Sequence, residues 1–151
     1  MNYIAIIEIP KNSDRRIHKG NQLDNLGKFV DFGLISDKIT ANNGRTPLAY
    51  GFIENTTGSD GEGDEVDVMV FSEKEFKTED TLEVTPFAMM MREDGDYKVL
   101  AHDETMTIDS WDHVPAEIQK ILMEFNGFKL PIIEIKGKDE TIAYIESVRI
   151  K

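Results

Sequence analysis

The sequence predicts an α+β fold in which a small β-barrel, closed or partly open as in OB-like folds, is flanked by α-helices. Two observations support this prediction: many short strand candidates come first along the chain, and the helical patterns come late. A length of 151 residues suits one domain with one core, and no repeat, low-complexity tract or linker divides it. We therefore expect a single domain over residues 1–151.

The strand candidates are short runs of β-branched or alternating apolar residues between turn signals. The first, "YIAIIEI" at 3–9, ends at Pro10, and Asn43-Gly44 and Pro47 mark a loop further along. In "VDVMVF", alternation predicts that Val66, Val68 and Val70 share one face while Asp67, Met69 and Phe71 share the other. The remaining candidates are 27–36, 48–54, 81–93 and 97–102.

Two helical patterns follow the strands. In "VPAEIQKILMEFNG", Pro115 suits a first helical position and Gly127 a C-terminal cap. The apolar stripe between them consists of Ile118, Ile121, Leu122 and Phe125. In "KDETIAYIESVRI" we expect a helix with Asp139 as its N-cap, with a final strand as the alternative.

Charge and composition exclude several classes of function. A net charge of −12 argues against a nucleic-acid or anionic-membrane partner, because both require a positive surface. The absence of cysteine excludes disulfides, thiolate metal sites and a cysteine nucleophile. No run of residues approaches the roughly 20 apolar positions that span a bilayer. These features lead us to expect a cytoplasmic protein.

One acidic turn raises the question of function. "DGEGDEVDVMVF", residues 60–71, is dense in carboxylates, and no Lys or Arg occurs from Glu54 to Ser72. The acids point separately into water, or they collect a cation. An EF-hand is excluded, since Glu65 and Phe71 stand where its loop needs Gly and Glu. The remaining cation reading is a Mg²⁺ site, because Mg²⁺ prefers carboxylate oxygens together with substrate phosphates. The five acids are Asp60, Glu62, Asp64, Glu65 and Asp67.

A second acidic turn, "REDGDYK" at 92–98, ends in Asp96 and Lys98, whose side chains share a strand face. Together the two turns indicate a pocket for metal and phosphate. Simpler interpretations stay open for single residues. Glu8 fits a solvent-facing strand position as well as a ligand, Tyr50 fits a core position, and Lys98 alone fits a surface lysine.

The order of short motifs resembles soluble family I inorganic pyrophosphatases. The motifs are "EIPKNS" (8–13), "YGFIENT" (50–56), "GDEVDVMV" (63–70), "DYKVLA" (96–101) and "GFK" (127–129). The resemblance implies an OB-like five-stranded β-barrel with helices outside, which hydrolyses pyrophosphate to two phosphates with Mg²⁺. It also implies a homo-oligomer, hexameric as in bacterial relatives.

The resemblance assigns roles residue by residue. Asp67 matches an acid that bridges metal ions, Asp64 an acid that accepts the proton of the attacking water, and the Lys and Tyr positions match groups that hold phosphate. Arg16 and Arg45 join the set as guanidinium groups to replace a family arginine that this sequence lacks. The candidates are, as catalytic residues, Asp64, Tyr50 and Lys98; as substrate-binding residues, Arg16, Arg45, Tyr50, Lys98 and Lys129; and as metal ligands, Glu8, Glu62, Asp64, Asp67, Glu93 and Asp96.

This sequence departs from the family pattern at several positions. The family's arginine falls on Phe32, two tyrosines fall on Thr46 and Phe128, and a Lys-x-Glu reads as Arg16 and His18. The metal candidates carry two ambiguities, Asp60 or Glu62 and Glu93 or Asp94. Because Phe32 supplies no charge, we expect Arg45 to swing inward on the flexible Asn43-Gly44 and restore the guanidinium, with a solvated loop arginine as the alternative.

The departures remove several phosphate contacts of the family pattern and keep two other functions open. The alternatives to pyrophosphate hydrolysis are a relative that hydrolyses another phosphoanhydride, such as a nucleotide or a short polyphosphate, and a non-catalytic protein that keeps a metal site.

Overall fold

The computed structural model describes residues 1–20, 22–57 and 65–150, and these form eight strands and two α-helices. Three short 3-10 helices, Ile35–Asp37, Ala41–Gly44 and Trp111–His113, lie in the connections. In chain order the elements are β1 Tyr3–Ile9, β2 Arg15–Lys19, β3 Phe29–Leu34, β4 Ala49–Ile53, β5 Val66–Phe71, β6 Thr81–Arg92, β7 Lys98–His102, α1 Ala116–Asn126, β8 Ile132–Lys136 and α2 Lys138–Ser147.

Five strands close into a ring. Their order is β1-β4-β5-β7-β6, and β6 pairs back with β1. β8 extends the sheet from β6, while β2 and β3 form a separate two-stranded ribbon. Among the described strands that pair, β5 and β7 are the one parallel pair. The predicted α+β fold with a five-stranded OB-like ring and flanking helices is confirmed.

The two faces of the ring build two apolar clusters. As predicted, Val66, Val68 and Val70 of β5 lie in one cluster, while Met69 and Phe71 lie in the other. The first cluster receives α2, and the second receives α1. Because β5 alternates strictly, Asp67 falls on the α1 face of the ring, where the side chains of a candidate site gather.

Both predicted helices form, with small shifts at their ends. Pro115 is the N-cap of α1 and not its first helical residue, with an extended ψ of 141°. Gly127 caps the other end, and a side chain there would approach the Met123 carbonyl to 2.8 Å. The N-cap of α2 is Gly137, so Asp139 lies inside its first turn. The alternative of a final strand is wrong for this segment.

Two strands were missing from the sequence-based prediction. β2 reads "RRIHK" and β8 reads "IIEIK", and every residue of β2 is only partly buried. A strand with only one apolar residue, Ile17, packed against the core carries little hydrophobic alternation, so the pairing of β2 with β3 decides its conformation.

A buried carboxylate fixes the turn after β7. Asp103 is 3% exposed and accepts hydrogen bonds from the Ser72 hydroxyl, the Thr105 hydroxyl and the Thr105 backbone N–H. Burial would raise the pKa of Asp103, but these hydrogen bonds outweigh it and lower the pKa below its ordinary value. Asp103 therefore contributes stability as an anion.

We predict that Asp103→Asn lowers the free energy of unfolding by about 1–3 kcal/mol at pH 7, because its amide group faces donors. The folded-state pKa is depressed, so the stabilisation is present above the unfolded-state pKa of about 3.9 and is lost as pH falls through the folded value. Urea unfolding at pH 7 and in acid tests this. The deficit should shrink in acid, and Asp109→Asn, at an exposed position, is the control. An equal deficit at both pH values would contradict the assignment.

Candidate active site

A β-bulge turns Glu8 toward the site. The register of β1 with β4 shifts between Ile7 and Ile9, so Glu8 has no partner across the pair. Ile7, Glu8 and Ile9 are consequently all buried, with Glu8 at 5% exposure. A bulge re-aims one side chain relative to strict alternation. The carboxylate of Glu8 accepts the Lys19 backbone N–H at 2.7 Å, and the His18 Nδ1 lies 3.5 Å away.

The parallel pairing of β5 with β7 brings the central charges together. Asp67 stands directly opposite Lys98 in the register. The Lys98 ammonium lies 2.6 Å from an Asp67 oxygen, 3.1 Å from an Asp96 oxygen and 2.8 Å from the Tyr50 hydroxyl. Lys98 is 8% exposed, so one buried ammonium joins three elements of the site.

Burial and charge together shape the acidity of these groups. Burial alone would lower the pKa of Lys98, but Asp67, Tyr50 and Asp96 hold it well above its usual value, so the ammonium stays charged. Burial raises the pKa of Asp67 to about 6, which Lys98 opposes while Asp96 and Glu8 add to it. Burial, followed by the charge of Asp67, raises the pKa of the Tyr50 hydroxyl and keeps it a donor. The neighbouring carboxylates therefore favour added positive charge.

A buried arginine fixes the second acidic turn. The Arg92 side chain is 4% exposed and donates from Nε to Asp94 at 2.9 Å and from Nη2 to Asp96 at 2.6 Å. Its Nη1 donates to the Asn126 carbonyl at 3.3 Å, which ties the turn to the end of α1. Arg92 and Lys98 thus hold different oxygens of Asp96, which orients the carboxylate.

These groups line an open cavity of about 510 Å³. Its wall combines four cationic side chains, four carboxylates and six aromatic rings. The cations are Arg16, Lys19, Lys38 and Lys98; the acids are Glu8, Glu65, Asp67 and Asp96; and the rings are His18, Phe32, Tyr50, Phe52, Phe125 and Phe128. Such a cavity can bind a small polyanion together with a cation.

The structure brings a large part of the predicted site together. Six candidates line the cavity: Glu8, Arg16, Tyr50, Asp67, Asp96 and Lys98. Among the described residues, its wall includes neither Glu93, Lys129 nor Arg45. Glu93 and Lys129 are exposed, and the alternative Asp94 is exposed and pairs with Arg92. The remaining candidates, Glu62 and Asp64, and the alternative Asp60 lie outside the described residues.

Arg45 corrects the expectation of a restored guanidinium. It is exposed, and its Nη1 donates to the Asn12 carbonyl at 2.9 Å. The loop does use left-handed backbone, with φ of 53°, 56° and 68° at Asn42, Asn43 and Gly44. That conformation closes a turn in which the Arg45 backbone N–H bonds to the Asn42 carbonyl, and the guanidinium is directed to the Asn12 carbonyl and not to the cavity.

Sequence reasoning missed two lysines in the wall. Lys19 pairs with Glu65 and lies over the Phe52 ring at 4.6 Å from its centre, and Lys38 is exposed at the mouth. Neither falls in a quoted motif. The one available signal for Lys19 was the basic run that ends there, "RRIHK" at 15–19, and Lys38 carried none.

The described carboxylates alone are not arranged as a metal site. Within residues 1–20, 22–57 and 65–150, no group of three or more His, Cys, Asp or Glu is arranged to hold a metal ion. Asp67 and Asp96 nevertheless converge on one lysine, and Mg²⁺ is typically held by one or two carboxylates plus substrate phosphates and water. The donor set therefore fits Mg²⁺ with substrate present.

Comparison with known proteins gives one consistent family. The family model described as inorganic pyrophosphatase matches residues 5–146. An inorganic pyrophosphatase of Nanoarchaeum equitans (strain Kin4-M) is 29% identical over 135 residues, which is 87% of this chain and 74% of the relative.

Solved structures show the same fold. An inorganic pyrophosphatase from Ehrlichia chaffeensis has a TM-score of 0.82 at 23% identity, covering 97% of this chain and 92% of that one. Another from Neisseria gonorrhoeae has a TM-score of 0.77 at 22% identity, covering 96% and 87%. With a family model that spans nearly the whole chain, the protein belongs to the inorganic pyrophosphatase family, a family of diphosphatase enzymes.

Proposed function

We propose that this protein hydrolyses inorganic pyrophosphate to two phosphates in a Mg²⁺-dependent reaction, as one domain over residues 1–151. The observation that carries the proposal is the Lys98 ammonium, which contacts Tyr50, Asp67 and Asp96 at the wall of the cavity. It combines a phosphate-binding cation with carboxylates suited to a metal. Membership of the family supports the same reaction.

The cations of the wall would hold the substrate. Pyrophosphate is a polyanion, and its hydrolysis needs positioning and charge neutralisation more than covalent help. Lys98 and the neutral Tyr50 hydroxyl are donors fixed before substrate arrives, so they cost little reorganisation during reaction. Arg16 and Lys38 add positive charge at the same cavity. The contact of Lys129 with phosphate remains a prediction.

The carboxylates would hold the metal. Asp67 and Asp96 are oriented by Lys98 and Arg92, and Glu8 is turned inward by the bulge. When bound, Mg²⁺ neutralises phosphate charge and lowers the pKa of a water molecule. By the family resemblance, Asp64 would accept the proton of the attacking water, and the roles of Asp64 and Glu62 remain predictions.

The wider setting of the enzyme is also part of the proposal. Among the residues that the structure describes, none of the helices has the length and hydropathy of a membrane span. A cytoplasmic location, a hexameric or other homo-oligomer and the absence of a nucleic-acid partner remain predictions. A non-catalytic metal-binding protein is the competing account, and a phosphate-release assay separates the two.

The first test removes the central cation. Lys98→Gln should lower kcat/KM for pyrophosphate by roughly 10²–10³, because it removes a fixed cationic donor. Tyr50→Phe should lower it less, since only one hydroxyl is lost. Phosphate release with Mg²⁺ measures both variants, and circular dichroism checks that they fold.

Lys74→Gln is the matched control, because Lys74 is an exposed lysine that pairs with Glu104. Its kinetics should equal those of the wild type. Wild-type kcat/KM in folded Lys98→Gln would contradict the proposed role.

The second test concerns the orientation of Asp96. Arg92→Lys keeps a charge but replaces the planar fork, whose three nitrogens donate to Asp94, Asp96 and the Asn126 carbonyl, by a single compact ammonium. Partners that orient metal ligands typically account for 10- to 100-fold in affinity or activity. We expect the Mg²⁺ dissociation constant, measured by calorimetry with a pyrophosphate analogue present, to rise at least about tenfold.

Arg149→Lys, at an exposed arginine that pairs with Glu146, should bind Mg²⁺ like the wild type. If folded Arg92→Lys also keeps wild-type Mg²⁺ affinity, Arg92 supports only the fold.

A further inference from the structure

Two exposed phenylalanine rings stand at the mouth of the cavity. Phe32 is 46% exposed and Phe128 is 43% exposed, and both line the wall that also holds Lys98 and Tyr50. Phe32 comes from the β2–β3 ribbon and Phe128 from the segment after α1. Phe32 and Phe128 therefore form an apolar rim beside the polar residues Lys98 and Tyr50. The two rings come from separate parts of the chain.

Neighbouring side chains fix both rings. The Phe32 ring centre lies 6.3 Å from that of His18, whose own ring meets the edge of Tyr50 at 6.0 Å. The buried guanidinium of Arg92 lies over the Phe128 ring, 5.4 Å from its centre. Each ring is thus packed against a group of the site while much of its surface stays open.

Pyrophosphate alone would make little favourable contact with this apolar rim. It carries no apolar atom, so two phenyl rings add nothing to its binding and cannot neutralise its charge. The positions that carry these rings are also those where the family pattern has an arginine and a tyrosine. A flat aromatic group joined to a diphosphate would contact both the rings and the polar residues of the cavity. Any nucleobase can serve, because every base has a face that stacks on aromatic side chains.

We propose that the cavity takes nucleoside diphosphates, with the base against Phe32 or Phe128 and the anhydride at Lys98. This inference rests on the proposed phosphoanhydride hydrolysis and names a substrate class for it. A water oxygen bonds to the terminal phosphorus, the bond from that phosphorus to the bridging oxygen breaks, and nucleoside monophosphate and phosphate leave. The volume of about 510 Å³ lies within the range of cavities that hold ligands of this size.

A matched pair of probes isolates the contribution of the nucleoside. Methylenediphosphonate and α,β-methylene adenosine diphosphate share a non-hydrolysable diphosphate, and only the second carries a base. We expect calorimetry with Mg²⁺ to give about tenfold or tighter binding for the nucleoside probe, the size expected for one stacked base. Equal affinities, or weaker binding of the nucleoside probe, would overturn the inference.

Variants locate the stacking surface. Phe32→Leu and Phe128→Leu, made singly and together, should bring the ratio of the two affinities close to one in the double variant. Phe29→Leu is the matched control, because Phe29 lies on the same strand as Phe32 but lines a different cavity. It should keep the wild-type ratio. A ratio that is unchanged in the double variant would show that the base binds elsewhere and would overturn the proposal.

The same experiments distinguish this inference from the proposed function. Hydrolysis of pyrophosphate with equal probe affinities would leave the proposed function standing and reject the nucleoside site. Tighter binding of the nucleoside probe without pyrophosphate hydrolysis would reject the proposed function and leave the nucleoside site standing. Analytical ultracentrifugation tests whether a second copy of this chain packs on the two rings instead. If the double variant changes the oligomeric state, the rings are a contact between copies and the inference is wrong.

Discussion

The parallel register of β5 with β7 is the constraint on which the rest of the site depends. It sets Asp67 opposite Lys98, and the same β7 ends the turn that carries Asp96. Valines of β5 anchor this register in the core, so a shift by one residue would send Asp67 to the opposite face of the ring. The pairing of Lys98 with both carboxylates is therefore a consequence of core packing as much as of charge.

The net charge of −12 does not indicate how the four described acids of the cavity are paired. Cations approach three of the four: Lys19 pairs with Glu65 and Lys98 with Asp67 across distant segments, and Arg92 pairs with Asp96 within one turn. These cations offset the acids without removing them from the wall. A Mg²⁺ ion and a phosphoanhydride would then complement one another, since the carboxylates attract the first and the cations of the wall, Lys98 among them, attract the second.

The fold and the central polar residues of the site were predictable because they depend on local sequence patterns. Strand alternation gave the faces of β5, and short motifs gave Tyr50, Asp67, Asp96 and Lys98. The rest depends on tertiary structure. Alternation left Glu8 ambiguous because a bulge breaks the period. The residues around Arg92 do not indicate that it is buried, and those around Arg45 do not indicate that its loop closes on Asn12. Both features depend on carbonyl groups that are distant in sequence.

Anomalous diffraction from crystals soaked with Mn²⁺ and methylenediphosphonate tests the central claim most directly, because Mn²⁺ shares the oxygen ligands of Mg²⁺ and can be located by its own signal. The account predicts a peak within about 2.0–2.3 Å of carboxylate oxygens of both Asp67 and Asp96. Lys98 should contact a phosphonate oxygen beside it. A metal bound away from these two carboxylates, or a diphosphonate bound beyond the reach of Lys98, would contradict the account.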